Sequence, residues 1–268
     1  MIDRPARLVL LGHPVAHSIS PRIQNAALRA AAIPLAYEAL DVEPALLHET
    51  LSQLGVERAA GNVTVPHKEA VASQCTRLTP LAERVGAVNT FWHERGALVG
   101  DNTDVGGLDS TVKALLGEAV HSARVALVGA GGSAAAVLTA AEGWGSARVN
   151  VYNHHMPRAQ RLASRFSTIA SAVSTLADAL DGATLVVNAT PIGMRDDAFP
   201  VPLDMLPPGA AVFDLVYRPS ETAWVSAART AGHRAADGMG MLMEQGALAF
   251  ERWFGVAPDR PAMWRAMR

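Results

Sequence analysis

"VALVGAGGSAAAV", residues 125–137, runs from an apolar, β-favouring segment through a glycine-rich turn into an alanine-rich segment that favours helix. Gly129, Gly131 and Ala134 take the G-x-G-x-x-A spacing. That pattern meets three needs at once. It allows a tight strand-to-helix turn, close approach of a pyrophosphate to the backbone, and anion binding by the free N–H groups of a helix N-terminus. A glycine triplet alone is weak and also fits a βα turn without ligand; the strand before it and the helix after it make it a dinucleotide-binding candidate. The second strand of such a unit ends beside the adenosine ribose, where a carboxylate suits NAD and a basic group suits the 2′-phosphate of NADP. Here that strand, "RVNVYN" (148–153), runs into "NHHMPRA", with Asn153, His154, His155 and Arg158. Asn153 follows Gly131 by 22 positions, close to the expected spacing of about 20. No carboxylate stands there. Arg158 or a protonated His154 is placed to meet a phosphate, and the two histidines also fit an exposed loop. No third ligand is adjacent, so no metal is expected.

On both sides of this turn, short β-branched runs alternate with Ala/Leu-rich helical stretches along the chain. "RLVLLG" (7–12), "AYEALDV" (36–42), "NVTV" (62–65), "AVNTFW" (87–92) and "ALVGDNT" (97–103) read as strands, with a helix at "PRIQNAALRAAA" (21–32). "ARVALVG" (123–129), "RVNVYN" (148–153), "TLVVNAT" (184–190) and "AVFDLVY" (211–217) form a second set. The alternation predicts an α/β fold with mainly parallel sheets. The 268 residues suit two domains. We expect residues 1–104 plus 241–268 to form an α/β substrate domain and 105–240 a Rossmann-type dinucleotide-binding domain. The last long helix, near 240–254, has no following strand and is expected to return to the first domain.

Composition narrows the function classes. Half of the residues are hydrophobic, and 23 basic against 25 acidic residues give a net charge of −2. No basic face or acidic tail appears, so neither nucleic acid nor a charged membrane surface is an expected partner. The single cysteine, Cys75, gives no internal disulfide framework and suits a reducing compartment. Without a basic-apolar leader or an apolar run of roughly 20 residues, the expected location is the cytoplasm. The Asn-x-Thr triplets at Asn62 and Asn188 read as chance.

Several polar residues fit poorly in the elements that carry them. In "NVTVPHK" (62–68), Pro66 is placed to open a helix, which puts Lys68 in its first turn. The helix dipole disfavours a cation there. A helix N-terminus and partial burial both move an amine toward acid–base work near neutral pH. A nearby carboxylate such as Asp104, in "GDNTDVGG", would oppose that shift but hold the amine in place. By position alone Lys68 also fits a solvated surface group, and Asp104 a helix cap. Ser18 and Ser20, in "GHPVAHSISP", point the same way if the segment is extended, and Ser20 before Pro21 is a ready helix N-cap. Asn89 reads as a mid-strand amide that needs a buried partner. Ser18, Thr64, Lys68, Asn89 and Asp104 all fall at or just past strand ends, where open α/β sheets bind ligands.

Taken together, "GHPVAHSISP", "NVTVPHK", "GAVNT", "NTDVGG", "VGAGGSAAA", "NATPIGM", "DLVY" and "GMGMLMEQGALAF" resemble the shikimate dehydrogenase family, which includes quinate/shikimate dehydrogenases. The resemblance spans nearly the whole chain, and its joint blocks are far more specific than any one of them. It implies reversible hydride transfer between NADP or NAD and C3 of shikimate/3-dehydroshikimate, within aromatic amino acid biosynthesis, by a monomer or homodimer. It implies Lys68 and Asp104 as the catalytic pair, with Ser18 and Ser20 on the substrate carboxylate. Thr64, Asn89 and Gln245 would meet substrate hydroxyls, with Tyr217 lining the site. Gly129, Ala130, Gly131, Gly132 and Ser133 match the pyrophosphate loop, and Asn153, His154, Arg158, Thr190 and Met239 (or Met241) the remaining cofactor surroundings. Two departures stand out. Where NADP-using members show "NRT", this chain has Asn153, His154 and His155, and the aspartate of NAD-using relatives is also missing. Gln24 replaces the histidine usual in biosynthetic members and is similar to quinate/shikimate members. A quinate/shikimate or aminoshikimate paralogue, and a dinucleotide-binding sensor without turnover, are the alternative readings.

Overall fold

The computed structural model describes residues 4–145 and 147–267. The chain divides into two compact units, one formed by the residues up to Gly107 together with those from Leu242 onward, the other by Leu108–Met241. The chain passes between them within the helices Asp104–Leu116 and Met239–Phe254.

The first unit holds strands β1 (Arg7–Gly12), β2 (Tyr37–Asp41), β3 (Ala59–Val63), β4 (Arg77–Leu78), β5 (Thr90–Glu94) and β6 (Ala97–Asp101), in the order β2-β1-β3-β5-β6-β4. β1, β2 and β3 are parallel; β5 runs antiparallel to both β3 and β6. β6 therefore points the same way as β3. From Leu8 to Gly12, β1 is apolar and buried because it lies inside the sheet and is covered on both faces, as expected for parallel strands, with Arg7 half-buried at its start. Leu11, Leu51, Leu54, Val63, Val71, Val88 and Phe91 form its core, each such fully buried side chain contributing about 1.5–3 kcal/mol. β1 and β3 approach so closely that a Cβ on Gly61 would lie 2.0 Å from the Val9 carbonyl oxygen.

The second unit has β7 (Arg124–Val128), β8 (Arg148–Tyr152), β9 (Ala170–Val173), β10 (Leu185–Asn188), β11 (Ala211–Asp214) and β12 (Ala235–Ala236). Its order is β12-β11-β10-β7-β8-β9, all parallel. This is the doubly wound order of dinucleotide-binding folds, with the reversal between β7 and β10. The glycine turn after β7 lies at that reversal. The alanine-rich helix Gly132–Glu142 is buried from Ala134 to Ala141, its short side chains allowing close packing on the sheet.

Several local expectations are corrected. The run "NVTV" is strand only to Val63, and β3 begins at Ala59. The first helix spans Ser20–Ala30, and its N-cap is Ile19, not Ser20. Ile19 is in the right-handed helical region, so Ser18 and Ser20 do not flank an extended residue; Ser18 Oγ instead accepts the Ser20 N–H at 3.2 Å. Asn89 is not mid-strand but sits at a bend just before β5. The run "ALVGDNT" is strand only to Asp101, and "AVFDLVY" only to Asp214. The short strands β4, β9 and β12 and the helix Arg260–Met267 have no counterpart in the sequence reading. Asn62 and Asn188 are fully buried, as chance triplets rather than accessible sites would be. Among the described residues, no helix is long and apolar enough to cross a membrane, and no group of three or more His, Cys, Asp or Glu side chains is placed to hold a metal.

Candidate active site

The alternating strand directions of the first unit bring the chemistry to one edge. The carboxyl ends of β1, β3 and β6 lie on the same side, and the amino end of antiparallel β5 joins them. Thr64 directly follows β3, Asn89 precedes β5, and Asp104 follows β6 after Asn102 and Thr103. Lys68 is the first residue of the helix Lys68–Gln74, and Asp104 opens the helix Asp104–Leu116.

These residues form one connected polar group. Lys68 Nζ donates to Asp104 Oδ2 at 2.6 Å, with the lysine side chain 25% and the aspartate 10% exposed. Asn89 Nδ2 donates to Asp104 Oδ1 at 2.8 Å, so both carboxylate oxygens are held. The same amide lies 3.0 Å from Thr103 Oγ1 and 3.2 Å from Gln245 Oε1. Asn89 Oδ1 accepts the Thr103 main-chain N–H at 2.7 Å. The Gln245 Nε2 donates to the Leu242 carbonyl at 2.9 Å. A lysine at a helix start is thus balanced by a carboxylate that is itself gripped on its far side.

Ser18 and Ser20 stand at the start of the first helix, Ser20 buried and Ser18 half-buried. Thr64, also half-buried, packs on Gly12, where its Cγ2 would lie 2.5 Å from an added Cβ. Gln24, one turn beyond Ser20, is buried and donates from Nε2 to the Gly246 carbonyl at 2.9 Å. The sequence reading missed Thr103, which links Asn89 to the start of the Asp104 helix, and gave Asn62 no role. Both are buried polar residues, inside "NVTVPHK" and "NTDVGG", and nothing else local marks their roles.

In the second unit, Gly129 has φ +118°, and a Cβ there would meet the Ala189 carbonyl oxygen at 2.7 Å. A side chain at Gly131 would meet nothing within 4 Å. Gly131 caps the helix Gly132–Glu142 without any side-chain hydrogen bond to its first turn. The backbone N–H groups around Ala130, Gly132 and Ser133 therefore have open space and no competing cap, which fits a pyrophosphate. Beyond β8, Asn153 Oδ1 accepts the His155 N–H at 2.9 Å, leaving His154 and Arg158 exposed. The helix that follows carries no acidic residue in its first turn. Thr190 is pinned to Asn188 Oδ1 through both its N–H (3.0 Å) and its hydroxyl (2.6 Å). Asn188 Nδ2 in turn donates to Asp214 Oδ1 at 2.9 Å. Burial raises the Asp214 carboxyl above its ordinary range, against the pull of its hydrogen bonds. Tyr217 lies past β11, and burial raises its phenol. The Met239 N–H is capped by Asp237 Oδ1 at 3.0 Å.

Comparison with known proteins gives the chain's family. Residues 10–91 match the family model described as the shikimate dehydrogenase substrate binding domain. Residues 111–192 match shikimate / quinate 5-dehydrogenase, and 238–268 the shikimate 5'-dehydrogenase C-terminal domain. A curated relative named shikimate dehydrogenase (NADP(+)), from Rubrobacter xylanophilus, is 44% identical over 99% of this chain and 97% of its own. The crystal structure of a Thermus thermophilus shikimate 5-dehydrogenase in complex with NADP(H) and shikimate is 37% identical. It superposes with TM-score 0.89 over 100% of this chain and 99% of that one. A quinate dehydrogenase from Corynebacterium glutamicum in complex with NAD is 29% identical, with TM-score 0.89 over 98% and 99% of the two chains.

Proposed function

We propose, from the premise that the chain belongs to the shikimate dehydrogenase family, that it catalyses the reversible NADP- or NAD-dependent oxidation of shikimate to 3-dehydroshikimate. The observation that carries the reading is the Lys68–Asp104 ion pair, gripped from behind by Asn89. When bound, the oxidised nicotinamide supplies the hydride acceptor. The residues of this chain supply the proton and the orientation. In the oxidation direction Lys68 Nζ is the group that takes the proton of the C3 hydroxyl as its C–H bond breaks. In the reduction direction the ammonium returns that proton to the carbonyl oxygen. Asp104 orients the amine and accepts a substrate hydroxyl. Ser18 and Ser20 hold the carboxylate, and Thr64, Asn89 and Gln245 meet the ring hydroxyls; the resemblance alone gives Tyr217 to the site's lining.

The pyrophosphate falls to the loop Gly129–Ser133, with Thr190 and Met239 nearby. At the ribose, the exposed Arg158 and His154, with no carboxylate among their neighbours in sequence, favour NADP over NAD. Gln24, which the resemblance associates with quinate/shikimate members, favours a second reading as a quinate/shikimate dehydrogenase. Initial rates with shikimate and with quinate, each with NADP⁺ and NAD⁺ and followed by nicotinamide absorbance, test both. Shikimate turnover with NADP⁺ preference supports the first reading, and comparable quinate turnover the second. A tight cofactor complex with no turnover of either acid contradicts both and revives a sensor.

A further inference from the structure

Beneath Asn89 lies a set of buried polar groups that the proposed chemistry does not use directly. Tyr37, at the start of β2, is 2% exposed. Its hydroxyl donates to Asn62 Oδ1 at 2.8 Å. Asn62 Nδ2 donates to the Asn89 carbonyl at 3.1 Å, and the same carbonyl accepts the Val63 N–H at 2.8 Å. The main chain of Asn89 is thus held by two donors from β3 while its side chain holds Asp104.

The direction of this relay depends on the phenol. The two ends of a carboxamide are nearly the same shape, and their partners decide which way it faces. The Tyr37 hydroxyl gives the oxygen end a donor, which turns the NH2 end toward Asn89. The reversed amide would set Asn62 Oδ1 against the Asn89 carbonyl, acceptor against acceptor. A phenylalanine would fill the same volume without the cost of burying a hydroxyl, so packing alone does not account for a tyrosine here. The residue is also locked in place. Asn25, on the Ser20–Ala30 helix, accepts the Tyr37 N–H and donates to its carbonyl, both at 2.9 Å. The ring stacks on Trp253 at 6.0 Å, and Trp253 Nε1 donates to Thr90 Oγ1 at 3.1 Å, next to Asn89.

We propose that Tyr37 is a positioning residue for the reaction, acting through Asn62 on the Asn89 main chain and through Asn89 on the Asp104 carboxylate that holds Lys68. This rests on Lys68 and Asp104 being the reacting pair. Tyr37 and Asn62 themselves touch neither substrate nor cofactor, and the Asn89 side chain that they steady holds Asp104, so the effect falls mainly on the rate of the chemical step.

The test compares Tyr37→Phe, Tyr37→Phe/Asn62→Leu and Lys68→Met in the full chain. It reads shikimate kcat and KM with NADP⁺ together with thermal stability. Tyr37→Phe is expected to lower kcat about tenfold with KM within about threefold, because small misplacements of reacting groups slow catalysis steeply. The double variant replaces both polar partners by apolar groups of similar shape, which is close to neutral for stability. Its stability should recover while kcat stays low, since nothing then holds the Asn89 carbonyl from Asn62. Recovery of kcat along with stability would mean a purely structural role and overturn the proposal. If the double variant does not fold, Tyr37→Phe alone decides, and wild-type kcat in it overturns the proposal. Wild-type turnover in Lys68→Met would overturn the reading of the active pair, and this proposal with it.

Discussion

Replacing Asn89 by alanine tests whether one amide organises the reacting pair. In the folded chain Asn89 Oδ1 accepts the buried Thr103 N–H at 2.7 Å, and Nδ2 donates to Asp104 Oδ1 at 2.8 Å. An NH2 group has two hydrogens, so its contacts to Thr103 and Gln245 share the one that remains. Asn89→Ala leaves the Thr103 N–H without its partner, a cost of about 1–3 kcal/mol, and removes a charge-assisted bond of about 1.5–3 kcal/mol from Asp104. The expected loss is about 2.5–6 kcal/mol, confined to the first unit. Amide hydrogen exchange in β3 and β5 of the full chain measures it as a drop in opening free energy while β7 and β10 stay protected. Shikimate turnover should fall by roughly two orders of magnitude as Asp104 loses one of its two anchors. An exchange change below about 1 kcal/mol, or activity within a few-fold of wild type, would refute the reasoning.

Three further outcomes follow from other parts of the structure. Gly129→Ala puts a Cβ 2.7 Å from the Ala189 carbonyl at φ +118°, so NADP⁺ binding by calorimetry should be lost, while shikimate still perturbs tryptophan fluorescence; unchanged NADP⁺ affinity would contradict the loop assignment. Burial raises the Asp237 carboxyl above its ordinary value of 3.8, so its native state keeps the proton to higher pH than the unfolded chain. The stability this brings is complete below that value and is lost as pH rises through the folded one. Asp237→Asn keeps the cap on Met239 without that loss, so in urea unfolding it should gain on wild type as pH rises above 3.8; parallel stability curves would count against it. Burial pushes the Cys75 thiol up to about 11, so a thiol reagent at pH 8 should label it in urea and hardly at all in the native chain, and rapid native labelling would contradict its placement.

What could be read from the sequence followed from how strongly each segment's chemistry constrains it. β1 matches its reading residue for residue because a central parallel strand is apolar on both faces. The glycine turn could be read because Gly129 and Gly131 answer to backbone geometry and open space rather than to distant partners. β4 and β12 are two residues each, and β9 is "ASAV", so none offers a β-branched run. Asn89 read as strand because "AVNTFW" is apolar around it. In the fold its side chain takes the Thr103 N–H, 14 residues on, and the chain bends there. Ser20 before Pro21 read as the cap, but Ile19 enters the helical region first and Ser18 takes over part of that role. Tyr37 lies in no quoted motif, and Asn62 and Thr103, though inside "NVTVPHK" and "NTDVGG", have roles that lie in long-range hydrogen bonds to residues 14 to 27 positions away.

The most direct test of the central claim is the single-turnover rate of shikimate oxidation by Lys68→Met under saturating NADP⁺. The substitution keeps the unbranched stem of the side chain and removes the amine that bonds Asp104 at 2.6 Å. The rate should fall at least about a hundredfold, with shikimate and NADP⁺ still bound and the fold intact. A variant that folds, binds both and turns over at the wild-type rate would show that the proton moves by another route, and the assignment of the pair would be wrong.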